Sequence, residues 1–177
     1  MKPINIIVLR GPRVKERADF AKAGWAVAHP GSRSLYAGDN AAMKTPPRLG
    51  LTGRLEIVVG PDNRISFADH RMPAILATPW LIAYLEYTSR DAIAPCLEDH
   101  ERSVGVSVDV EHLAPAPEGA KVTCQARVIH VDGQVVTFQV EARDQAELLA
   151  KGLHRRRVID VDRFARRVER KKAELKP

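Results

Sequence analysis

Leu76-Ala77-Thr78-Pro79-Trp80-Leu81-Ile82-Ala83-Tyr84-Leu85-Glu86, continued to Ala94-Pro95, is a long helical pattern standing ahead of four alternating segments. Thr78 can cap the helix through its hydroxyl. Pro79 suits the first helical position, where its missing N–H would have no partner anyway. The helix should run to about Ala94 and stop at Pro95. Leu81, Leu85, Thr88 and Ala92 line one stripe, with Ile82, Ser89 and Ile93 beside it. Glu86 falls at the edge of that stripe, four residues after Ile82, so the two share a face.

The flanking sequence changes period from 3.6 to 2. Before the helix, Arg54 to Val59 alternates with Leu55, Ile57 and Val59 in phase, which reads as a strand. Gly60-Pro61-Asp62-Asn63 is a turn, and Ile65 to Phe67 is a second short strand or an extended lead-in. After the helix, Val104 to Leu113 alternates as far as His112, and Pro115 and Pro117 break it. Lys121 to Val131 and Gln134 to Arg143 flank Asp132-Gly133, a strong two-residue hairpin signal. Glu147 to Val161 forms a last long strand, and residues 162–175 read as a basic helix with a thin stripe of Phe164, Val168 and Leu175. Strand, central helix and four strands on short turns make an α+β arrangement, an antiparallel sheet around one buried helix. Such a sheet leaves edges and apolar surface open, so dimerisation is expected.

The 177 residues suit one folded body, with 45% hydrophobic and 28% charged residues. Residues 1–48 read as an irregular N-terminal extension. They sustain neither period and close on Thr45-Pro46-Pro47. The folded body spans 49–161, and 162–177 form a basic tail. The net charge of +6 is unevenly spread. Residues 1–42 carry 7 Lys and Arg against 3 Asp and Glu, residues 154–177 carry 10 against 4, and residues 43–153 carry 11 against 15. The body is mildly acidic and the ends are basic. Aromatics are 5% and do not interleave with the basic runs, so a nucleic-acid role is not indicated. The uncharged run from Met72 to Leu85 is too short to span a bilayer and contains two prolines. Cys96 and Cys124 form no CxxC and fit a reducing cytoplasm.

Nucleotide-binding glycine motifs, the GxSxG elbow and HExxH are absent, and the six histidines have no spacing that fixes a metal. Thr78, Glu86 and His112 remain. A carboxylate flanking a buried stripe is costly to desolvate unless something hydrogen-bonds it, and a histidine ending a strand face is a candidate partner. Taken singly each has a structural reading, with Thr78 a cap, Glu86 turned to solvent and His112 a satisfied strand-end residue. The three together, in this element order, point to a site.

Leu76-Ala77-Thr78-Pro79, Glu86, Ala94-Pro95, Val104-Gly105 and His112-Leu113-Ala114-Pro115-Ala116-Pro117-Glu118-Gly119 resemble a hot-dog fold thioesterase, most nearly the fluoroacetyl-CoA-specific thioesterase family. Val131-Asp132-Gly133, Phe138 to Asp144 and Gly152-Leu153-His154-Arg155 are similar too, so the resemblance covers about residues 50 to 172. It implies catalytic roles for Thr78, Glu86 and His112 and places Gly105 near the acyl group. Pro79 and Met72 are implied at the substrate, and Arg155, with Arg156 and Arg157 beside it, is a candidate for the coenzyme A phosphates. Met72 precedes Pro73 where the fluoroacetyl-specific enzyme carries a lid phenylalanine, so the acyl group stays unspecified. The resemblance further implies a homodimer or dimer of dimers that hydrolyses an acyl-CoA without a cofactor, and the two cysteines place it in the cytoplasm. Glu86 would act as nucleophile or as general base on water, His112 would orient or protonate, and Thr78 would position the carboxylate or attack the carbonyl itself. Two other classes are a non-catalytic acyl-CoA-binding hot-dog protein and a hot-dog hydratase, the latter faintly suggested by Tyr36-Ala37-Gly38-Asp39-Asn40.

Overall fold

The computed structural model describes residues 43, 45–66 and 71–175. The chain divides into two units, residues 1–37 and 38–177, and the first lies outside the described residues, as does the Tyr36–Asn40 motif. The element order is β1 (Thr52–Val58), α1 (Thr78–Ile93), β2 (Glu101–His112), β3 (Lys121–Asp132), β4 (Val135–Arg143), β5 (Leu148–Asp160) and α2 (Val161–Glu174). A single 3-10 turn, Ala94–Cys96, ends α1 at Pro95 as expected.

All pairings are antiparallel, in the order β1-β3-β4-β5-β2, so β1 and β2 are the two edges. Helix α1 lies against one face of this sheet, the α+β arrangement expected of a hot-dog fold. The face toward α1 follows from the register. Leu55 opposes Cys124, Cys124 opposes Ala142, and Val128 opposes Phe138, which in turn opposes His154. All of these but the partly buried Leu55 are buried together with Leu81, Leu85 and Ile93 of α1. The Cys124 thiol, pushed up to about 12 by burial, packs as a small apolar group. Gly53 lets the helix approach β1: a Cβ there would meet the Thr88 carbonyl oxygen at 2.6 Å and the Ala92 Cβ at 2.8 Å.

Some local expectations change and one open alternative is decided. Thr78 is not the cap. The cap position is Ala77, without a side-chain hydrogen bond, and Pro79 therefore sits one place further in. The Thr78 hydroxyl is engaged elsewhere. Ile65 begins an extended lead-in rather than a strand: Arg64 bridges Leu76, the Ile65 N–H donates to the Ile75 carbonyl at 2.8 Å, and Phe67 lies outside the described residues. The alternation from Val104 to His112 is broken by a register shift between Gly105 and Ser107. Gly105 and Val108 pair with the buried Arg156 and His154, so both face α1, while Val104 faces away beside Arg157. The core also starts before residue 49, because Met43 and Pro47 are buried. Helix α2 is capped by Asp160, whose carboxylate accepts the Arg163 N–H at 2.8 Å, and none of its residues is buried. No helix among the described residues is long and apolar enough to cross a membrane.

Candidate active site

Helix α1 carries two polar side chains to the sheet, eight residues apart. At 1.5 Å per residue their backbones are about 12 Å apart along the axis. Each meets its own partners.

At the helix start, Thr78 Oγ1 lies 2.9 Å from Nδ1 of His112, the last residue of β2. This pairing explains why the hydroxyl does not cap the helix. The His112 Nε2 is buried and has no hydrogen-bond partner among the described residues. Burial pushes the imidazole below its ordinary value, with the Ala114 backbone acting weakly the other way, so His112 is neutral near pH 7. The positive end of the α1 dipole adds a field that favours negative charge at this end of the groove. The helix start is fixed from below by Asn63. Its carbonyl accepts the Ala77 N–H at 3.0 Å, and its buried amide donates to the Val58 carbonyl and the Tyr84 hydroxyl.

Two turns on, Glu86 keeps 36% of its side chain exposed, enough to meet a substrate. Its Oε1 is 3.6 Å from His154 Nε2 and 3.8 Å from Arg156 Nη1, both nearly buried on β5. Gly105 of β2 completes the wall. A Cβ at this position would run into the Glu86 carboxylate and come within 3.3 Å of the His154 ring. Only glycine at the bulge leaves room for the acid.

The inner face of β5 is apolar at Ala150 and Val158, and His154 and Arg156 interrupt it between them. Arg156 donates from Nε to Ser103 Oγ at 3.0 Å and from Nη2 to the Ser103 carbonyl at 2.8 Å. Burial lowers its pKa and Glu86 raises it, Glu86 being the largest opposing influence. A guanidinium remains charged through such shifts, so the site holds a fixed cation beside a carboxylate.

Thr78 and His112 thus come together as expected, whereas Glu86 is met by His154 and Arg156 instead. Arg155 is exposed on the opposite face of β5, and Arg156 is the arginine at the site. Counting back by twos from the apolar Val158 through Arg156 and His154 would have found both residues. Pro79 and Met72 are exposed, Met72 with 46% of its surface, on the approach to the helix start. Among the described residues no three His, Cys, Asp or Glu side chains are grouped to hold a metal ion.

A carboxylate, a neutral imidazole paired with a hydroxyl, and a buried cation suit attack on a carbonyl with proton transfer. The comparisons with known proteins agree. The fluoroacetyl-CoA-specific thioesterase family matches residues 59–162. The fluoroacetyl-CoA thioesterase of Streptantibioticus cattleyicolor is 31% identical over 137 residues, covering 73% of this chain and 97% of that protein. A crystal structure of the fluoroacetyl-CoA thioesterase FlK superposes with a TM-score of 0.67 at 28% identity, over 75% of this chain and 99% of its own. A Thermus thermophilus protein described as a thioesterase superfamily member superposes equally well, with a TM-score of 0.67 at 28% identity, over 73% and 96% of the two chains.

Proposed function

The chain belongs to the fluoroacetyl-CoA-specific thioesterase family, and from that premise we propose how its own residues hydrolyse an acyl-CoA. The observation that carries the reading is the half-exposed Glu86 carboxylate held between Gly105 and the buried Arg156. Glu86 supplies the electron pair. It either takes a proton from the attacking water or attacks the thioester carbonyl itself to give an anhydride that water then opens. Both routes release the free acid and coenzyme A. Single-turnover hydrolysis in oxygen-18 water, followed by mass analysis of Glu86, separates them. The Thr78–His112 pair protonates the leaving sulfur or orients the carbonyl, and the first turn of α1 stabilises the developing oxyanion.

In one chain the backbones of Thr78 and Glu86 lie about 12 Å apart along α1, and the two side chains meet different partners. We infer a homodimer in which two α1 helices face each other and bring Glu86 of one copy toward Thr78 of the other. The outer face of α1 is apolar and open at Trp80 and Tyr87, and the β2 edge exposes Val106 and Val108. These surfaces suit burial against a second copy. Two free cysteines fit a reducing compartment, and on that ground we place the enzyme in the cytoplasm. Residues 49–161 carry the hydrolase, with the buried Met43 and Pro47 at the end of the 1–48 extension joining its core and 162–177 a basic tail. The acyl group is small or medium, and Met72 at the approach argues against strict fluoroacetyl selectivity.

Thiol release from acetyl-CoA, fluoroacetyl-CoA and longer acyl-CoAs tests the reading. Turnover of at least one supports it. Tight binding without thiol release would instead make the protein an acyl-CoA-binding module.

A further inference from the structure

His154 is nearly fully buried, titratable and within reach of Glu86, yet the reaction outlined above gives it no part. Its hydrogen bonds fix what it can do. Nδ1 lies 2.9 Å from the Ser107 carbonyl, which only accepts, so Nδ1 carries the proton. In the neutral ring Nε2 is then a bare lone pair. Arg156 Nη1, which only donates, is 3.2 Å from it, nearer than the Glu86 carboxylate at 3.6 Å. A proton on Nε2 would set an N–H against the guanidinium.

We propose that His154 is a positioning residue: locked as the Nδ1–H tautomer by the β2 bulge, it accepts a hydrogen bond from Arg156 and so aims that cation at Glu86.

The groups around the ring agree from every packed element. On β5 it meets Arg156, on α1 Glu86, on β2 the Ser107 carbonyl, and on β4 the Phe138 ring, stacked at 6.4 Å between centroids. Arg90 and Asp91 of α1 act on Arg156 from further off with opposite signs. Burial keeps His154 below the ordinary histidine value. The Ser107 hydrogen bond opposes that shift, Arg156 adds to it and Glu86 opposes it. Arg156 is then held on four sides, by Ser103 Oγ, the Ser103 carbonyl, His154 Nε2 and the Glu86 carbonyl at 3.4 Å. The bulge thereby has a second use. It gives Glu86 space at Gly105 and turns the Ser107 carbonyl onto the imidazole.

The inference rests on the thioesterase reading for its effect on turnover, but its structural half is testable without turnover. Nitrogen-15 NMR of the histidine-labelled protein at neutral pH should show His154 protonated at Nδ1 and bare at Nε2. A proton on Nε2 would overturn the proposal, whatever the enzyme hydrolyses. In the turnover arm, His154→Gln offers an amide oxygen near the old Nε2, and His154→Leu offers no acceptor. Misplacing the cation should lower kcat of the folded Leu variant by about ten- to a hundredfold with KM little changed. The Gln variant should recover most of that loss. If Leu turns over as well as the parent, or Gln fails as far as Leu while both melt as the parent does, His154 has no positioning role. Absence of turnover in the parent itself would count against the thioesterase reading and leave the NMR result standing.

Discussion

Gly105 and Glu86 depend on each other, and that dependence is the sharpest residue-level feature of the site. A methyl group at 105 would occupy the place of the carboxylate oxygen. Gly105→Ala is expected to push Glu86 away from Arg156, cutting turnover by about a hundredfold. Gly105 is exposed on an edge strand, so the thermal midpoint should change little. Parallel assays of thiol release and melting check both halves. The histidines add a pH dependence with a definite sign. His112 and His154 are both held below the ordinary value of 6.5, chiefly by burial. Between their folded pKa values and 6.5 the unfolded chain binds more protons, so stability rises with pH across that window. It is complete above 6.5 and falls as the pH drops through the folded values. Urea midpoints at neutral pH and about two units lower should show the loss, and His154→Gln should show less of it. Glu86, Thr78 and His112 were legible in the sequence because a helix wheel and a strand end place them. Arg156 was legible only by phase, since three consecutive arginines do not announce which one faces inward until the two-residue period is counted back from Val158.

Helix α1 is held by its fit to the sheet more than by its ends. Its cap position has no side-chain hydrogen bond and its first turn has no acid. Its buried stripe of Leu81, Leu85, Thr88, Ser89, Ala92 and Ile93 matches the stripe read from the sequence except at Ile82, which is only partly buried. The hydroxyls of Thr88 and Ser89 return to the Tyr84 and Leu85 carbonyls, so neither is left unpaired in the core. Contact with β1 is closest at Gly53. Gly53→Val should force the helix off the sheet and cost about 1–3 kcal/mol, read from denaturant midpoints. A shift in register would move Thr78 and Glu86 with the helix, so activity should fall along with stability. The strands were legible from their alternation to within a few residues. The bulge between Gly105 and Ser107 was not, because valine at 104, 106, 108 and 110 keeps the same alternation whether or not the register shifts.

The whole molecule is asymmetric in what it covers. Among the described residues one face of the sheet is filled by α1, while Trp80 and Tyr87 on the outer side of that helix and Val106 and Val108 on the β2 edge are exposed. The proposed homodimer would close both, and sedimentation at micromolar protein should then show twice the chain mass of 19.6 kDa or a multiple of it. A monomer would leave the Thr78–His112 pair and Glu86 in separate clusters and would contradict the shared site. The fold class followed from element order alone, which is a whole-chain property of the sequence. The separation of the site into two clusters was not readable, because the partners of Glu86 come from a strand nearly seventy residues away. The most direct test of the account is thiol release from acyl-CoA by Glu86→Gln, measured beside unfolding on the same sample. Loss of the carboxylate should lower turnover by about two to four orders of magnitude while folding and acyl-CoA binding persist. Turnover within about threefold of the parent, far short of the loss expected for a base or nucleophile, would contradict it.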